Sequence, residues 1–355
     1  MKAWENNIRR VIPYVPGEQP NLPNMVKLNT NENPYPPAPG VREVLKGMDA
    51  DKLRLYPDPT VKLLATELAD FYHLDKDMVF VGVGSDDVLA MAFMTFFNSE
   101  KPVLFPDITY SFYPVWCDLF RIPYRTPALD ESFRIVREDY YRENGGVVIA
   151  NPNAPTGIYE DLTFIRDILN HNLNSIVIID EAYVDFAGRS AVELIPEYDN
   201  LIVVQTFSKA RSMAGMRIGY AMGNPELIKV LNDVKYSYNS YTMNYTAILA
   251  GVEAVKDSAY FYEGIEKLKE TRSWAEKEFK ALGFSFPESG SNFLFVTHEK
   301  IPAREILKEL REHNIFVRHF NLPRIDNYLR VSIGTREEMD KMFACVRNYL
   351  TIYGK

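Results

Sequence analysis

Four short segments of the chain combine residue types that can bind a phosphate, react with an aldehyde and hold a proton. They are GVGSDD at 82–87, NPNAPTG at 151–157, DEAY at 180–183 and SKARSMAGMR at 208–217. A glycine-flanked helix start binds phosphate through its backbone N–H groups, and hydroxyl or guanidinium groups add donors. A deprotonated lysine amine condenses with an aldehyde, and a carboxylate accepts a hydrogen bond from a ring N–H.

A run of apolar residues precedes each of these segments, and the runs predict strands. GVVIA, SIVIID and LIVVQTF are rich in β-branched residues and show no polar alternation, which is typical of parallel strands covered on both faces, and MVFVG is a short apolar run that ends in glycine. Ligands of such sheets bind outside the carboxyl ends of the strands. The four segments are therefore expected to meet in one crevice. The first strand leads into a helix, SDDVLAMAFMTFF, for which Ser85 or Asp86 is the expected N-cap.

Together these groups predict pyridoxal 5′-phosphate (PLP) as the cofactor. Lys209 would react with its aldehyde and Asp180 would keep its ring nitrogen protonated, so that the ring can withdraw electrons. Each signal alone is weak, because glycines near helix starts, acids after strands and Ser–Lys pairs are all common. Their order at successive strand ends gives the hypothesis its weight. The expected phosphate donors are the helix start at Ser85 and the side chains of Thr206, Ser208 and Arg217.

The pattern along the chain predicts an α/β protein with three parts. Residues 1–40 are rich in Pro and Asn and are expected to form an ordered arm. Residues 41–250 are expected to form a large, mostly parallel, doubly wound domain. Residues 251–355 are expected to form a smaller α+β domain, whose last helix opens with a Thr335–Glu338 capping box.

Composition excludes several other classes of function. The 355 residues carry a net charge of −8 without a concentrated basic face, which argues against nucleic acid as a partner. The two cysteines and five histidines show no metal-ligand spacing, so no metal is expected. No apolar run reaches the length of a membrane helix and the polar start shows no secretory signal, so a cytoplasmic protein is expected.

The chain resembles a known family almost from end to end. NPNAPTG, DEAY and SKARSMAGMRIGY resemble the fold-type I, class II aminotransferases, which use PLP, and further motifs resemble the branch that acts on histidinol phosphate. Those motifs are LNTNENP at 28–34, YPDP at 56–59, GVGSDD at 82–87, DITYSFY at 107–113 and LRVSIGT at 329–335.

The resemblance implies roles for individual residues around the cofactor. Lys209 would hold it as a Schiff base and then move the substrate proton, while Asp180 would pair with the ring N–H. Tyr183 would bond the ring's 3-oxygen and Tyr110 would stack on the ring face. The phosphate would lie among Ser85, Asp86, Thr206, Ser208 and Arg217.

The resemblance also implies a second subunit and a substrate site. Tyr56 would reach the phosphate in a neighbouring subunit, which implies a homodimer with shared sites. Arg330 would bind the anionic end of the substrate, with Arg318 and Tyr14 nearby.

One position departs from the family pattern. The family commonly places Asn before the PTG, where it bonds the ring's 3-oxygen, but this chain has Ala154. Either Asn153 serves after a small backbone adjustment or Tyr183 acts alone. The missing bond is worth about 0.5–1.5 kcal/mol net. A milder departure is Asp87, where the family often has Glu.

The resemblance implies transamination from L-histidinol phosphate to 2-oxoglutarate, giving imidazole acetol phosphate and L-glutamate (EC 2.6.1.9) in histidine biosynthesis. Two relatives with the same cofactor motifs remain open, an aromatic amino-acid aminotransferase and a threonine-phosphate decarboxylase. A non-catalytic effector domain of a transcription regulator is a further alternative, although such proteins carry a DNA-binding domain that the short N-terminal arm does not resemble.

Overall fold

Two sheets and ten helices make up the part of the chain that the structure, a computed structural model, describes, which is residues 2–353. The strands are β1 (Val26–Leu28), β2 (Val79–Gly82), β3 (Val103–Leu104), β4 (Tyr124–Arg125), β5 (Gly146–Ala150), β6 (Val177–Asp180), β7 (Leu201–Thr206), β8 (Gly219–Gly223), β9 (Phe284–Ser285), β10 (Phe293–His298), β11 (Ile315–His319) and β12 (Leu329–Ser332). The helices are α1 (Pro39–Lys46), α2 (Lys62–Tyr72), α3 (Ser85–Phe96), α4 (Phe112–Phe120), α5 (Leu162–His171), α6 (Pro225–Tyr238), α7 (Tyr245–Lys256), α8 (Ser258–Ala281), α9 (Ala303–Glu312) and α10 (Arg336–Tyr353).

The larger sheet has seven strands in the order β2-β8-β7-β6-β5-β3-β4. β8 is antiparallel to both of its neighbours, and the other six strands share one direction. The predicted parallel strands β5, β6 and β7 are confirmed, and every residue in them is buried. β8 was not predicted, because its sequence GYAMG begins and ends with glycine, which gives little strand signal.

Helices cover both faces of the larger sheet, which explains its uniformly apolar strands. Val177 and Ile179 point into a core shared with α2, α5 and α7. Ile178, between them, points to the opposite face and packs with α3, α4 and α6. Successive side chains of a strand alternate between faces, so only a strand that is apolar throughout can fill both cores.

The smaller sheet has the order β1-β11-β12-β10-β9 and packs against α8, α9 and α10. Its edge strand β1 comes from the N-terminal arm and runs parallel to β11, with Val26 opposite Ile315. The arm is therefore ordered at this point. The predicted capping box of α10 is confirmed, since Thr335 N donates to Glu338 Oε2 (2.7 Å) and Glu338 N donates to Thr335 Oγ1 (3.2 Å). The division at residues 40 and 250 stays a prediction.

The start of α3 differs from the expectation and lies where it can bind an anion. Neither Ser85 nor Asp86 is the N-cap; that residue is Gly84, in a left-handed conformation (φ +85°) that favours glycine. The Asp87 carboxylate accepts a hydrogen bond from Val83 N (2.9 Å), which leaves the N–H groups of the first turn free of a side-chain cap. α3 begins directly against β8, because a Cβ at Gly219 would collide with the backbone of Gly84 and Ser85.

No helix within residues 2–353 combines the length and the apolar character that a bilayer span requires.

We predict that Gly219→Ala pushes the start of α3 away from the sheet. Backbone atoms cannot yield as a flexible side chain can, so we expect the free energy of unfolding to fall by about 1–3 kcal/mol, measured by chemical denaturation. Gly264→Ala in α8 is the matched control, since a Cβ there meets no atom within 4 Å. That change should raise stability by about 0.5–1 kcal/mol. Equal effects at both positions would contradict the close approach of α3 to β8.

Candidate active site

A cleft of about 550 Å³ lies at the carboxyl ends of β5, β6 and β7, between the two sheets. The arm, the start of α3 and strands of the smaller sheet complete its walls. Twelve residues predicted from the sequence line it: Tyr14, Ser85, Asp86, Tyr110, Asp180, Tyr183, Thr206, Ser208, Lys209, Arg217, Arg318 and Arg330.

Asp180 ends β6 at the floor of the cleft with one carboxylate oxygen unused. Tyr113 donates a hydrogen bond to Oδ2 (2.7 Å), whereas Oδ1 is buried with no partner among the described residues. Burial raises the pKa of Asp180 to about 6, and the bond from Tyr113 opposes that rise. A buried acceptor without a donor is costly, so this oxygen fits a ligand that brings an N–H group.

Lys209 follows β7 and reaches across the cleft toward the arm. Its Nζ donates to the backbone oxygen of Thr30 (3.2 Å) and lies 5.6 Å from the centre of the Tyr183 ring. Among the described residues no carboxylate lies within 4.0 Å of this amine. The Lys209 amine therefore faces the cleft, whose lining also includes Asp180 and Tyr183.

Donors for an anion collect at the start of α3. Arg217 approaches Asp86 (3.5 Å between Nη2 and Oδ2), and the Tyr110 hydroxyl donates to Asp86 Oδ1 (2.7 Å). Burial, together with the Asp86 charge, raises the pKa of Tyr110 well above its usual range, so the phenol stays protonated. The Thr206 hydroxyl donates to Ser208 Oγ (3.0 Å) at the end of β7. Hydroxyls, a guanidinium and free helix N–H groups form a donor set suited to a phosphate.

The smaller sheet contributes two arginines on adjacent strands. Arg318 in β11 lies opposite Arg330 in β12, and neither guanidinium has a carboxylate within 4.0 Å in the described part of the chain. Arg330 donates to the backbone oxygen of Asn29 (3.1 Å), while its buried Nε has no partner. Burial and then the Arg318 charge lower the pKa of Arg330. Two neighbouring cations without counter-charges make an anion site.

Comparisons with known proteins agree with this geometry. Residues 23–345 match the model of the family described as aminotransferase class I and II. The chain is 50% identical over 339 residues to a histidinol-phosphate aminotransferase from Clostridium botulinum, with 96% of each chain covered. It is 49% identical over 348 residues to one from Lactococcus lactis, covering 98% of this chain and 97% of the relative.

The chain belongs to the class I and II aminotransferase family. A solved structure of histidinol-phosphate aminotransferase from Sinorhizobium meliloti, in complex with pyridoxal-5′-phosphate, matches with a TM-score of 0.83 at 23% identity, covering 92% of each chain. The predicted family and the predicted α/β fold class are confirmed.

The residues of this aminotransferase cleft fit PLP. The orphaned Oδ1 of Asp180 suits the ring N–H, and the donors around Ser85 suit the phosphate. Gly84 lies directly under the Arg217 guanidinium, and its positive φ favours glycine at this position. Lys209 lies in the same cleft, and its amine would condense with the aldehyde.

Asn153 does not take the position that the family's asparagine holds. Its amide nitrogen donates to the backbone oxygen of Ile108 (2.9 Å) and to Thr156 Oγ1 (3.1 Å), and its oxygen accepts from Thr109 (2.7 Å). Ala154 lines the cleft and Asn153 does not. Both amide hydrogens of Asn153 are used in holding the loop, so the structure does not support the expectation that Asn153 donates to the cofactor's 3-oxygen.

Tyr56 lies outside the cleft of its own chain. Its side chain is 82% exposed and packs on Tyr241, with ring centres 4.6 Å apart. A role at this chain's own cofactor site is therefore not supported by the structure, and a role in a second subunit stays a prediction.

Three residues of the cleft region were missed from the sequence. Tyr113 donates to Asp180, Asn31 donates to the Tyr183 hydroxyl (2.9 Å), and Asn29 lines the cleft beside Arg330 with a buried amide oxygen that has no partner. The motifs DITYSFY and LNTNENP contain all three, so the signal was present, but nothing in a motif shows which side chain points inward.

Outside the cleft, Glu309, His313 and Cys345 bring three metal-ligand atoms within 4.8 Å of one another, a cluster the sequence did not suggest. Burial raises the pKa of the Cys345 thiol to about 11, which opposes the thiolate form that a metal binds.

We predict that Asp180→Asn makes the cofactor-free protein more stable at pH 8. The raised folded pKa of about 6 means that an ionised Asp180 costs on the order of 3 kcal/mol without its ligand. The wild type pays no such cost below pH 4, where Asp180 is protonated in both the folded and the unfolded state, and it loses stability as pH rises through 6. The advantage of Asp180→Asn should therefore shrink as pH falls from 6 toward 4. Thermal unfolding of the cofactor-free protein measures this.

Exposed Asp118→Asn is the control and should leave the stability curve unchanged. An advantage for Asp180→Asn that does not depend on pH would contradict the buried ionised carboxylate. Asp180→Asn should also bind PLP more weakly at pH 8. An amide oxygen accepts a hydrogen bond from the ring N–H, but it lacks the negative charge of the carboxylate.

Proposed function

We propose that this protein is a PLP-dependent aminotransferase that moves the amino group of L-histidinol phosphate to 2-oxoglutarate. The observation that carries the proposal is the pair of arginines without counter-charges, Arg318 and Arg330, in the cleft that also contains Lys209. A phosphorylated donor and a dicarboxylate acceptor both need an anion site of this kind. The relatives from Clostridium botulinum and Lactococcus lactis, at 49–50% identity over nearly the whole chain, support the choice of donor.

Each cleft residue has a distinct task in this reaction. When bound, PLP supplies an aldehyde that takes the amino group and a ring that withdraws electrons from the substrate carbon. Neutral Lys209 removes the proton from the carbon that bears the amino group and returns it at the next stage. Asp180 Oδ1 would hold the ring N–H, and its negative charge would keep that proton in place. Tyr183 would donate to the ring's 3-oxygen, and Tyr110 would pack against the ring.

Arg330 serves both halves of the reaction. A guanidinium binds the phosphate of the donor and the carboxylate of the acceptor with the same planar set of N–H groups. The rings of Phe293 and Phe320 lie 5.3 and 5.5 Å from the Arg330 guanidinium carbon and hold it in the cleft. Arg318, opposite it in the neighbouring strand, adds a second positive charge.

We predict that histidinol phosphate, and neither phenylalanine nor threonine phosphate, converts the yellow enzyme to its pyridoxamine form. Conversion by phenylalanine would favour an aromatic amino-acid aminotransferase, and release of CO₂ from threonine phosphate would favour a decarboxylase. Lys209→Ala should abolish the visible absorbance of the bound cofactor, with exposed Lys52→Ala as the control. A wild type that takes up no PLP would overturn the proposal.

Arg330→Lys tests the anion site separately. Lysine keeps the charge and loses the planar fork, so one or two charge-assisted bonds worth about 1.5–3 kcal/mol are lost. We expect kcat/KM for histidinol phosphate to fall roughly ten- to a hundredfold. Arg125→Lys, at an exposed position in β4, should leave it unchanged. Unchanged kinetics in Arg330→Lys would place the substrate anion elsewhere.

We further propose a homodimer in which Tyr56 of one protomer reaches the cofactor phosphate of the other. Large apolar side chains are exposed on the arm, next to Tyr56 in the sequence and in the segment that contains its contact Tyr241, and a contact between copies would cover them. They include Ile12, Val15, Leu53, Leu55, Tyr238 and Tyr241.

We predict that mixing the inactive variant Lys209→Ala with the weakened variant Tyr56→Ala raises activity above the sum of the two. In a mixed dimer one of the two sites has both Lys209 and Tyr56, so random reassembly gives about a quarter of wild-type activity. Recovery requires subunit exchange, achieved by mild denaturation and refolding of the mixture and checked by the same treatment of each variant alone. If Tyr56 acted at the site of its own chain, the activity of the mixture would not exceed the summed activities of the two variants.

A further inference from the structure

Asn31 joins the arm, the smaller sheet and the cofactor cleft. It is 1% exposed, and its backbone oxygen accepts from Asn292 Nδ2 (2.9 Å). Its backbone N–H donates to Ser332 Oγ (2.8 Å), Ser332 Oγ donates to Asn31 Oδ1 (2.9 Å), and Asn31 Nδ2 donates to the Tyr183 hydroxyl (2.9 Å). Each polar group of Asn31 therefore has a partner.

The hydrogen bonds place the amide nitrogen of Asn31 toward Tyr183. The Ser332 hydroxyl accepts the backbone N–H of Asn31 and donates to the Asn31 side-chain oxygen. The amide nitrogen lies on the other side and donates to the Tyr183 hydroxyl. The backbone of Asn31 is left-handed (φ +56°), a conformation that asparagine tolerates better than most residues.

The direction of this bond decides what the Tyr183 hydroxyl can do. Its oxygen accepts from Asn31, so its proton is not used in that contact. Within residues 2–353 no hydrogen bond donated by this hydroxyl is found, while its ring lines the cleft beside Lys209. The proton is left free for an acceptor in the cleft.

We propose that Asn31 is a positioning residue that makes Tyr183 a committed and strengthened donor to the 3-oxygen of PLP, in place of the donor lost at Ala154. This rests on the proposed cofactor site. A hydroxyl that accepts one hydrogen bond becomes a stronger donor in the next, because the bonds polarise one another. Asn31 thus acts through Tyr183 and does not touch the cofactor.

The proposal has a spectroscopic consequence. A donor to the 3-oxygen stabilises its negative charge most when the nitrogen that links Lys209 to the cofactor is unprotonated. Such a donor therefore lowers the pKa of that linkage, which is read from the change of visible absorbance with pH. A weaker donor at Tyr183 raises that pKa.

The test is the spectral pKa of Asn31→Gly, in which glycine accepts the left-handed backbone and removes only the side chain. We expect a rise of roughly 0.1–0.3 pH unit, because the bond from Asn31 strengthens that of Tyr183 by about 10–30% and one ordinary hydrogen bond is worth about 0.4–1 pH unit. Tyr183→Phe should raise the pKa at least as much, and adding Asn31→Gly to it should change nothing further. Restoring the family's donor with Ala154→Asn should reduce the effect of Asn31→Gly.

Asn24→Gly is the matched control, because Asn24 is also a left-handed asparagine of the arm (φ +55°) but is exposed and outside the cleft lining. It should leave the spectrum unchanged. If Asn31→Gly retains too little cofactor, Asn31→Asp keeps the size of the side chain but accepts the Tyr183 proton, and should also raise the pKa.

Two results would overturn the proposal: a folded, PLP-bound Asn31→Gly with the wild-type spectral pKa, or an effect of Asn31→Gly that persists in the Tyr183→Phe background. The first would leave Asn31 with a purely structural role, visible only as a lower thermal midpoint. Failure of the proposed function itself looks different, because the wild type would then show no PLP absorbance to titrate.

Discussion

The buried carboxylate of Asp180 is the constraint on which the rest of the site depends. Asp180 is 5% exposed and has one oxygen with no partner, so the charge that the cofactor ring requires costs free energy until the ring arrives. The larger sheet supplies the rigidity that keeps water out, since β6 lies between two buried neighbours. Tyr113 holds the other oxygen, which fixes the carboxylate in one orientation.

Two further sets of charges are arranged around that carboxylate, and each is placed by a different element. The start of α3 and the turn after β7 collect donors for a phosphate, while β11 and β12 bring Arg318 and Arg330 together across one register pair. Strand direction produces the first arrangement, because parallel strands end at one edge. Antiparallel pairing produces the second, because opposite residues of adjacent strands lie side by side.

Local patterns in the sequence were sufficient to predict the structural features that depend on local sequence. Uninterrupted β-branched runs predicted β5, β6 and β7, and parallel direction then placed Asp180 and Lys209 at one edge. The misses depend on distant contacts. β8 is glycine-rich and forms a strand only because β2 and β7 flank it. From the sequence, Asn153 was expected to bind the cofactor, but in the structure its amide is bonded to Thr109 and Ile108. The inward direction of Asn31 depends on Ser332, a contact 301 positions along the chain.

The pairing of β1 with β11 governs how the enzyme can be made. Val26 precedes its partner Ile315 by 289 positions, so Val26 is synthesised well before the strand with which it pairs. The larger sheet, complete by residue 223, can therefore fold during translation, whereas the arm must wait unpaired. Thr30, whose backbone oxygen accepts the hydrogen bond from Lys209, belongs to this arm, so the cleft stays open on that side until β11 has been made.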